Sequence, residues 1–454
     1  MQSVNYYSTN LKANEATFKE ALLKGLAPDK GLYMPQMIPQ ISKELMDSFS
    51  EMPYYEIAYH VANHFLRGQI PDEELRKITK DAYNFEVPLE NVMNRCYVMR
   101  LDHGPTASFK DFAARMMGRL MNYYLKLDKR KLLILTATSG DTGSAIANAF
   151  YGLDNIEVVV LYPEKEVTNR QRKQMTTLGK NVKVISLDGK FDDCQALVKQ
   201  AFSDEELDYL NLSSANSINI GRLIPQIVYY FYAFAKLRNQ EKDEQIVFSI
   251  PSGNFGNMMG SMLAKRMGLP IKRLIIATNS NDEFPVLMQK EEYHKIEPSK
   301  DCISSAMNVG HPSNLARLIA LYGGVMNEKG NISKHPDFEQ MRRDIFAISI
   351  SDEQTKETIK EVYEAYNVIL EPHGAVGWAG LTKFLHNHPQ APNLLCVSLE
   401  TAHPAKFPEH INEILSLDPE LPPSLRGIED KKEFITSLDN NYDSFKAFLK
   451  KNYK

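Results

Sequence analysis

The sequence predicts an α/β fold: a parallel sheet covered by helices on both faces, preceded by a mostly helical N-terminal region. Three observations predict it. From Lys131 onward, short runs rich in valine, isoleucine and leucine alternate with helical stretches, the pattern of strand–helix–strand units in a parallel sheet. Several of those runs end in small or hydroxylated residues just before a helix, where open α/β sheets bind ligands. Residues 1–95 lack that alternation and show apolar residues at three- and four-residue steps instead.

Taken in order, Asn14 or Thr17 starts a helix through Phe18, Ala21, Leu22 and Leu23 that Gly25 ends. Ala27 to Gly31 is turn chemistry, and Pro35 to Pro39 is a further break. Pro53 to Arg67 and Pro71 to Tyr83 read as two more helices. Strands are expected at Leu132–Leu135, Ile156–Leu161, Val182–Leu187, Ile246–Ile250, Leu274–Ala277 and Leu394–Leu399. Helices are expected at Ser144–Phe150, Thr168–Leu178, Asp192–Phe202, Arg222–Leu237 and Asn257–Met267. The tail from Pro419 is charged and reads as a packed extension.

A chain of 454 residues suits two large domains or about three ordinary ones. It is 43% hydrophobic and 24% charged, which is ordinary for a globular protein with a large core. A net charge of −4 offers no basic surface for nucleic acid, and no apolar run approaches a membrane span. Cys96, Cys194, Cys302 and Cys396 are scattered without zinc-type spacing, so no metal site is expected. No secretory leader pattern opens the chain. A cytoplasmic protein is the expectation.

Five stretches carry candidate chemistry. In His103 to Asp111, Gly104-Pro105 makes a turn and Ser108 reads as the N-cap of a helix with Lys110 in its first turn. Helix starts favour anions, so a lysine there loses its proton more readily and becomes a better amine nucleophile. The alternative is an exposed lysine on an amphipathic helix. Thr138 to Gly143 offers hydroxyls and backbone N–H groups to an anion, or is a polar turn. Gly253-Asn254-Phe255-Gly256-Asn257 lets the backbone approach an anion at another helix start, although it is neither a dinucleotide fingerprint nor a P-loop. Asn216, Ser217 and Arg222 form a second anion site or a capped helix with a solvated arginine. Thr401 places a hydroxyl at a strand end. Nearby His403 and Lys406 read as structural or solvent-facing, and His373 as a hydrogen-bonded loop histidine.

Together these suit pyridoxal phosphate, which needs an imine-forming lysine, a phosphate loop and a partner for its ring nitrogen. Here the chain resembles the threonine synthases of the longer type, within the fold type II (tryptophan-synthase-β-like) pyridoxal-phosphate enzymes. The resemblance rests on Thr17 to Ala21, Gly25 to Asp29, Gly31 to Tyr33, Phe109 to Asp111, Thr138 to Gly143, Gly253 to Gly256 and Thr401 to Phe407. It implies two open, mostly parallel sheet domains plus the helical N-terminal domain. The expected divisions are 1–95, a smaller α/β domain at 96–215, a larger one at 216–410 and an extension at 411–454.

By resemblance, Lys110 is the Schiff-base lysine and Gly253, Asn254, Phe255, Gly256 and Asn257 are the cofactor phosphate loop. Thr401 meets the pyridine nitrogen; a neutral hydroxyl there is expected to leave that nitrogen largely unprotonated. Ser139, Gly140, Asp141 and Thr142 hold the substrate carboxylate and the cofactor's 3-hydroxyl side. Thr142, Asn216, Ser217 and Arg222 hold the substrate phosphate. Two departures stand out: Ala107-Ser108 replaces the usual Leu-Ala, and Asp141 stands where the shorter type has Asn. The implied reaction converts O-phospho-L-homoserine and water to L-threonine and phosphate, by a monomer that binds neither nucleic acid nor membrane. Two alternatives are a phospholyase that stops at a 2-oxo acid and ammonia, and a non-catalytic relative that binds a ligand.

Overall fold

The computed structural model describes residues 4–138, 140–388 and 393–453. Two open sheets organise it. The larger has six strands in the spatial order Ile345–Ser349, Ile271–Thr278, Ile246–Pro251, Leu395–Glu400, Cys96–Arg100 and Leu89–Met93. All neighbours are parallel except Leu89–Met93, which pairs antiparallel at the edge. The smaller has five parallel strands in the order Ile435–Leu438, Val182–Leu187, Ile156–Pro163, Leu132–Ala137 and Leu212–Ser213.

Central strands are covered on both faces, so they read as continuous apolar runs rather than alternating ones. Every residue of Ile246–Pro251, Leu395–Glu400 and Leu132–Ala137 is buried. The edge strands Leu89–Met93 and Ile345–Ser349 are only half-buried, the first also mixed in polarity, and the sequence reading does not contain them. Cys96–Arg100 lies in the larger sheet, in register with Cys396 to Glu400; the chain enters the smaller sheet at Leu132.

The N-terminal region is helical, as its periodicity implies. Thr17 and Glu20 form a reciprocal capping box before helix Phe18–Lys24, and Gly25 ends it at φ 76°. Helices Tyr54–Leu66 and Asp72–Ala82 begin directly after Pro53 and Pro71. A small ribbon of Tyr6–Ser8 and Tyr33–Pro35 is added. At the other end, Ile435–Leu438 joins the edge of the smaller sheet, and helix Tyr442–Asn452 buries Phe445 and Leu449 with Leu197, Ala201 and Leu207. No described helix is long and apolar enough to cross a membrane.

Helix Ile220–Leu237 is the internal axle. It is buried on nearly all sides, as an all-round apolar helix must be. Its Tyr229 ring meets Phe112 of the Lys110 helix at 5.6 Å, and Phe231 and Tyr232 meet Phe49 and Tyr54 of the N-terminal region. The loop before it is clamped by Arg317, which is fully buried. Its guanidinium donates to the Tyr33 carbonyl at 3.1 Å, Ile218 carbonyl at 2.7 Å, Ser217 carbonyl at 3.3 Å and Asn314 Oδ1 at 2.6 Å. Arg317→Met should therefore strand several buried acceptors and lower stability by about 3–5 kcal/mol. Urea unfolding followed by fluorescence checks this; a loss below about 1 kcal/mol would mean the clamp is dispensable.

Candidate active site

Lys110 is the first residue of helix Lys110–Asp128. The loop before it is held against the end of strand Leu395–Glu400. Leu101 N–H donates to the Glu400 carbonyl at 3.0 Å, Phe109 N–H to the Thr401 carbonyl at 2.8 Å, and His403 N–H to the Ala107 carbonyl at 3.0 Å. Ser108 forms a bridge with Ala402. The cap expected at Ser108 is therefore corrected: Phe109 caps the helix with no side-chain bond, because the strand-like pairing with Ala402 fixes Ser108 one residue too early. Its buried hydroxyl has no partner among the described residues. Lys110 itself is not solvent-facing; its side chain is 13% exposed.

Asp141 sits between two lysines. Lys110 Nζ lies 3.6 Å from Asp141 Oδ2, and Lys406 Nζ lies 2.6 Å from Oδ1. Gln171 Nε2 donates to the same Oδ1 at 3.0 Å, and Lys406 also donates to the Thr106 carbonyl at 2.9 Å. Burial would raise the Asp141 pKa, but the two ammonium groups overcome it and hold the carboxyl well below the usual range. Burial lowers the Lys110 pKa; Asp141 opposes the shift, while Lys406 and Arg222 reinforce it. Lys406 is completely buried, which overturns the solvent-facing half of its reading. Helix Asp141–Phe150 also starts three residues before the expected Ser144, at Gly140 with φ 137°. That conformation favours glycine, and a Cβ there would lie 2.5 Å from the Gln171 amide.

The Gly253–Asn257 loop ends strand Ile246–Pro251 and opens helix Gly256–Arg266, with Phe255 left-handed at φ 63°. Among the described residues, none of its backbone N–H groups has a protein acceptor. The Asn257 Oδ1 accepts from Tyr229 and Tyr230 hydroxyls at 2.5 and 2.6 Å. Its buried Nδ2 is left without a partner among the described residues. Arg222 is buried, donates Nη1 to the Ala215 carbonyl at 2.8 Å and leaves Nε unpartnered. Burial lowers its pKa to about 10. Ser217 lies 3.6 Å from the position of a Cβ on Gly256, so the two predicted anion sites adjoin. Asn216 Oδ1 accepts from Thr136 at 2.9 Å, Ser217 Oγ meets Ser313 Oγ at 3.3 Å, and Thr142 is half-buried in the first turn after Asp141. Asn254 is exposed. Ser139 lies outside the described residues.

A chain of polar contacts leads from the residue before the lysine to the backbone beside the glycine loop. From Phe109 it passes to Thr401, whose Oγ1 donates to Glu371 Oε1 at 3.1 Å. Glu371 caps helix Pro372–Asn387 and contacts His373 Nδ1, and His373 Nε2 accepts from Ala306 N–H at 3.0 Å. A Cβ on Gly253 would stand 3.0 Å from the Ala306 carbonyl. His373 is thus hydrogen-bonded as expected, but in the first turn of a helix rather than a loop. The sequence reading missed Glu371, Lys406 and Gln171 as site neighbours. Only Lys406 had a signal: it follows the same strand end as Thr401.

Three family models match the chain. "Threonine synthase N terminus" covers residues 5–83, "Pyridoxal-phosphate dependent enzyme" covers 86–398 and "Threonine synthase, C-terminal" covers 374–449. The chain is 37% identical to a threonine synthase of Haemophilus influenzae, over 99% of this chain and 100% of that one. It is 39% identical to one from Escherichia coli, over 97% and 98%. A crystal structure of a PLP-bound threonine synthase from Brucella melitensis superposes with a TM-score of 0.92 at 35% identity, covering 100% of both chains.

Because Lys406 disfavours the charged form of Lys110, Lys406→Met should raise the pH at which the Lys110 amine loses its proton. The pH dependence of Lys110 acylation in the apoprotein, read by peptide mass spectrometry, checks the sign. A midpoint that stays put or falls would remove Lys406 from the field at the amine.

Proposed function

The chain belongs to the threonine synthase family, and from that premise we propose how its residues divide the work. The reaction is the pyridoxal-phosphate-dependent conversion of O-phospho-L-homoserine and water to L-threonine and phosphate.

The residues present suit the cofactor. The unpartnered N–H groups of 253–257 and the Asn257 amide are donors at a helix N-terminus, which suits a phosphate. Lys110 supplies the amine that holds the cofactor, and Thr401 the hydroxyl at its ring nitrogen. Asp141 is ionised and only accepts, so its side chain suits the cofactor's 3-hydroxyl rather than the substrate carboxylate. The carboxylate falls to the backbone at the start of helix Asp141–Phe150, around Thr142. Arg222, Ser217, Asn216 and Thr142 take the substrate phosphate. When bound, the cofactor supplies a conjugated ring that spreads the negative charge left at the substrate's Cα.

Lys110 moves the protons. A neutral amine is required to take one, and burial favours that form. Its Nζ would take the Cα proton and then one Cβ proton as phosphate leaves Cγ; one proton is returned to Cγ, water adds its hydroxyl at Cβ and gives its other proton to the released phosphate, and Cα is reprotonated. Arg222 stabilises the departing phosphate and fixes the chain that carries it. The single observation carrying this reading is the largely buried Lys110 amine 3.6 Å from Asp141, on a segment whose polar contacts lead to the Ala306 backbone beside a loop of free N–H donors. We expect a monomer acting in the cytoplasm, as the resemblance implies.

Incubation with O-phospho-L-homoserine should release threonine and phosphate in equal amounts. Lys110→Ala should lower turnover by roughly 10³-fold. Phosphate released with ammonia and a 2-oxo acid, but no threonine, would overturn the assignment. Arg222→Gln should raise KM for the substrate by about tenfold or more while leaving cofactor loading intact. Equal KM values would remove Arg222 from the phosphate site.

A further inference from the structure

Asn257 lies in the first turn of helix Gly256–Arg266 and is only 5% exposed. The carbonyl end of its amide is occupied twice. Oδ1 accepts from the Tyr229 hydroxyl at 2.5 Å and from the Tyr230 hydroxyl at 2.6 Å. The amino end, Nδ2, has no partner among the described residues. A primary amide has one accepting end and one donating end. Two hydroxyls that donate to the first leave the second to donate to a ligand.

Both hydroxyls keep their protons, because burial raises the pKa of Tyr229 and of Tyr230 well above the ordinary phenol value. Both rings are also held in place. Tyr229 packs edge to face on Phe112, two residues past Lys110, at 5.6 Å. Tyr230 packs edge to face on Phe248, in the strand that ends at the glycine loop, at 4.9 Å. The two tyrosine rings lie 4.8 Å apart. The helices that carry the tyrosines and Asn257 are in close contact: a Cβ on Gly260 would stand 2.8 Å from the Gln226 carbonyl. The amide therefore meets two donors whose positions are fixed by packing.

We propose that Tyr229 and Tyr230 are positioning residues for the cofactor, which turn the Asn257 amide so that Nδ2 faces the phosphate. The inference rests on the reading of 253–257 as the phosphate loop. A reversed amide would aim a carbonyl oxygen at an anion. The tyrosines disfavour that orientation before the cofactor arrives, so less order has to be imposed on binding. Tyr229 touches the Lys110 helix and the phosphate loop at once, so it also sets the span between the amine and the phosphate donors. Arg222 lies seven residues earlier on the same helix face. One face of one helix thus serves both phosphates.

The test is a double-mutant cycle on cofactor affinity in the full chain, measured by equilibrium dialysis against pyridoxal phosphate. The phosphorus-31 NMR signal of the holoenzyme is the second readout. Tyr229→Phe combined with Tyr230→Phe removes both hydroxyls and keeps both rings. It should raise the cofactor's dissociation constant about tenfold and move the phosphorus signal toward that of free cofactor. Asn257→Ala should do the same. Adding the two phenylalanines to Asn257→Ala should then change affinity by less than about twofold. Tyr229→Phe alone, with a rise of about two- to threefold, serves if the paired variant fails to fold. Phenylalanine variants that bind cofactor as tightly as wild type, beside a weakened Asn257→Ala, overturn the proposal. So do losses that multiply in full when combined, because the tyrosines would then act on the core and not through the amide. An Asn257→Ala variant with wild-type affinity overturns it differently, by taking Asn257 away from the phosphate, which is a failure of the site reading.

Discussion

One carboxylate shared by two buried ammonium groups is the constraint on which the site depends. Asp141 comes from the first helix of the smaller sheet, Lys406 from the end of a central strand of the larger, and Lys110 from the helix between them. Burying three charges is costly unless each is paired and hydrogen-bonded. Gln171 and the Thr106 carbonyl complete that pairing. The arrangement leaves an excess of one positive charge, and burial places the loss of a proton on Lys110. An amine needed as a base is thereby tuned by the same contact that joins the two sheets.

Parallel sheets make this possible because their strands end together. The ends of Leu395–Glu400, Ile246–Pro251 and Leu132–Ala137 deliver Thr401, Gly253 and Asp141 in turn. The lysine segment gains its position by pairing along residues 400–403 rather than through its own helix. Glu371 then links that strand end to the Ala306 backbone beside Gly253. Rigid backbone donors fix each step, so polar groups that would otherwise rotate are held in one sense.

Much of the fold was legible because its signals are local. Val182–Leu187 is rich in valine, isoleucine and leucine and matches its strand end to end, and the prolines before Tyr54 and Asp72 mark their helix starts. The site was legible where a motif combines a strand end with a helix start, at Lys110 and the 253–257 loop. It was not legible where the deciding partner is distant in sequence. Lys406 reads as structural or solvent-facing, and its pairing with the site shows only when Asp141 is folded against it. Ser108 carries good capping chemistry, but its pairing with Ala402 outweighs that preference. Glu371 and His373 look like loop residues because nothing nearby in sequence shows that one carboxylate will gather four donors. The edge strand Leu89–Met93 was missed because its half-buried sequence mixes polar and apolar residues; Ile345–Ser349 carries a short apolar run that the reading passed over.

The neighbouring positions of Cys96–Arg100 and Leu395–Glu400 in the larger sheet have a consequence for synthesis on the ribosome. The first strand emerges early, but its parallel neighbour is translated long after it. Until then the lysine segment has no strand to lie against, and one side of a central strand is uncovered. Loop closure across so much sequence is slow and leaves apolar edges open to aggregation. The nascent polypeptide must therefore be kept soluble, by chaperones or by prior folding of the helical N-terminal region, through most of its elongation. Cofactor capture is in this sense a late event that waits on the strand ending at Glu400.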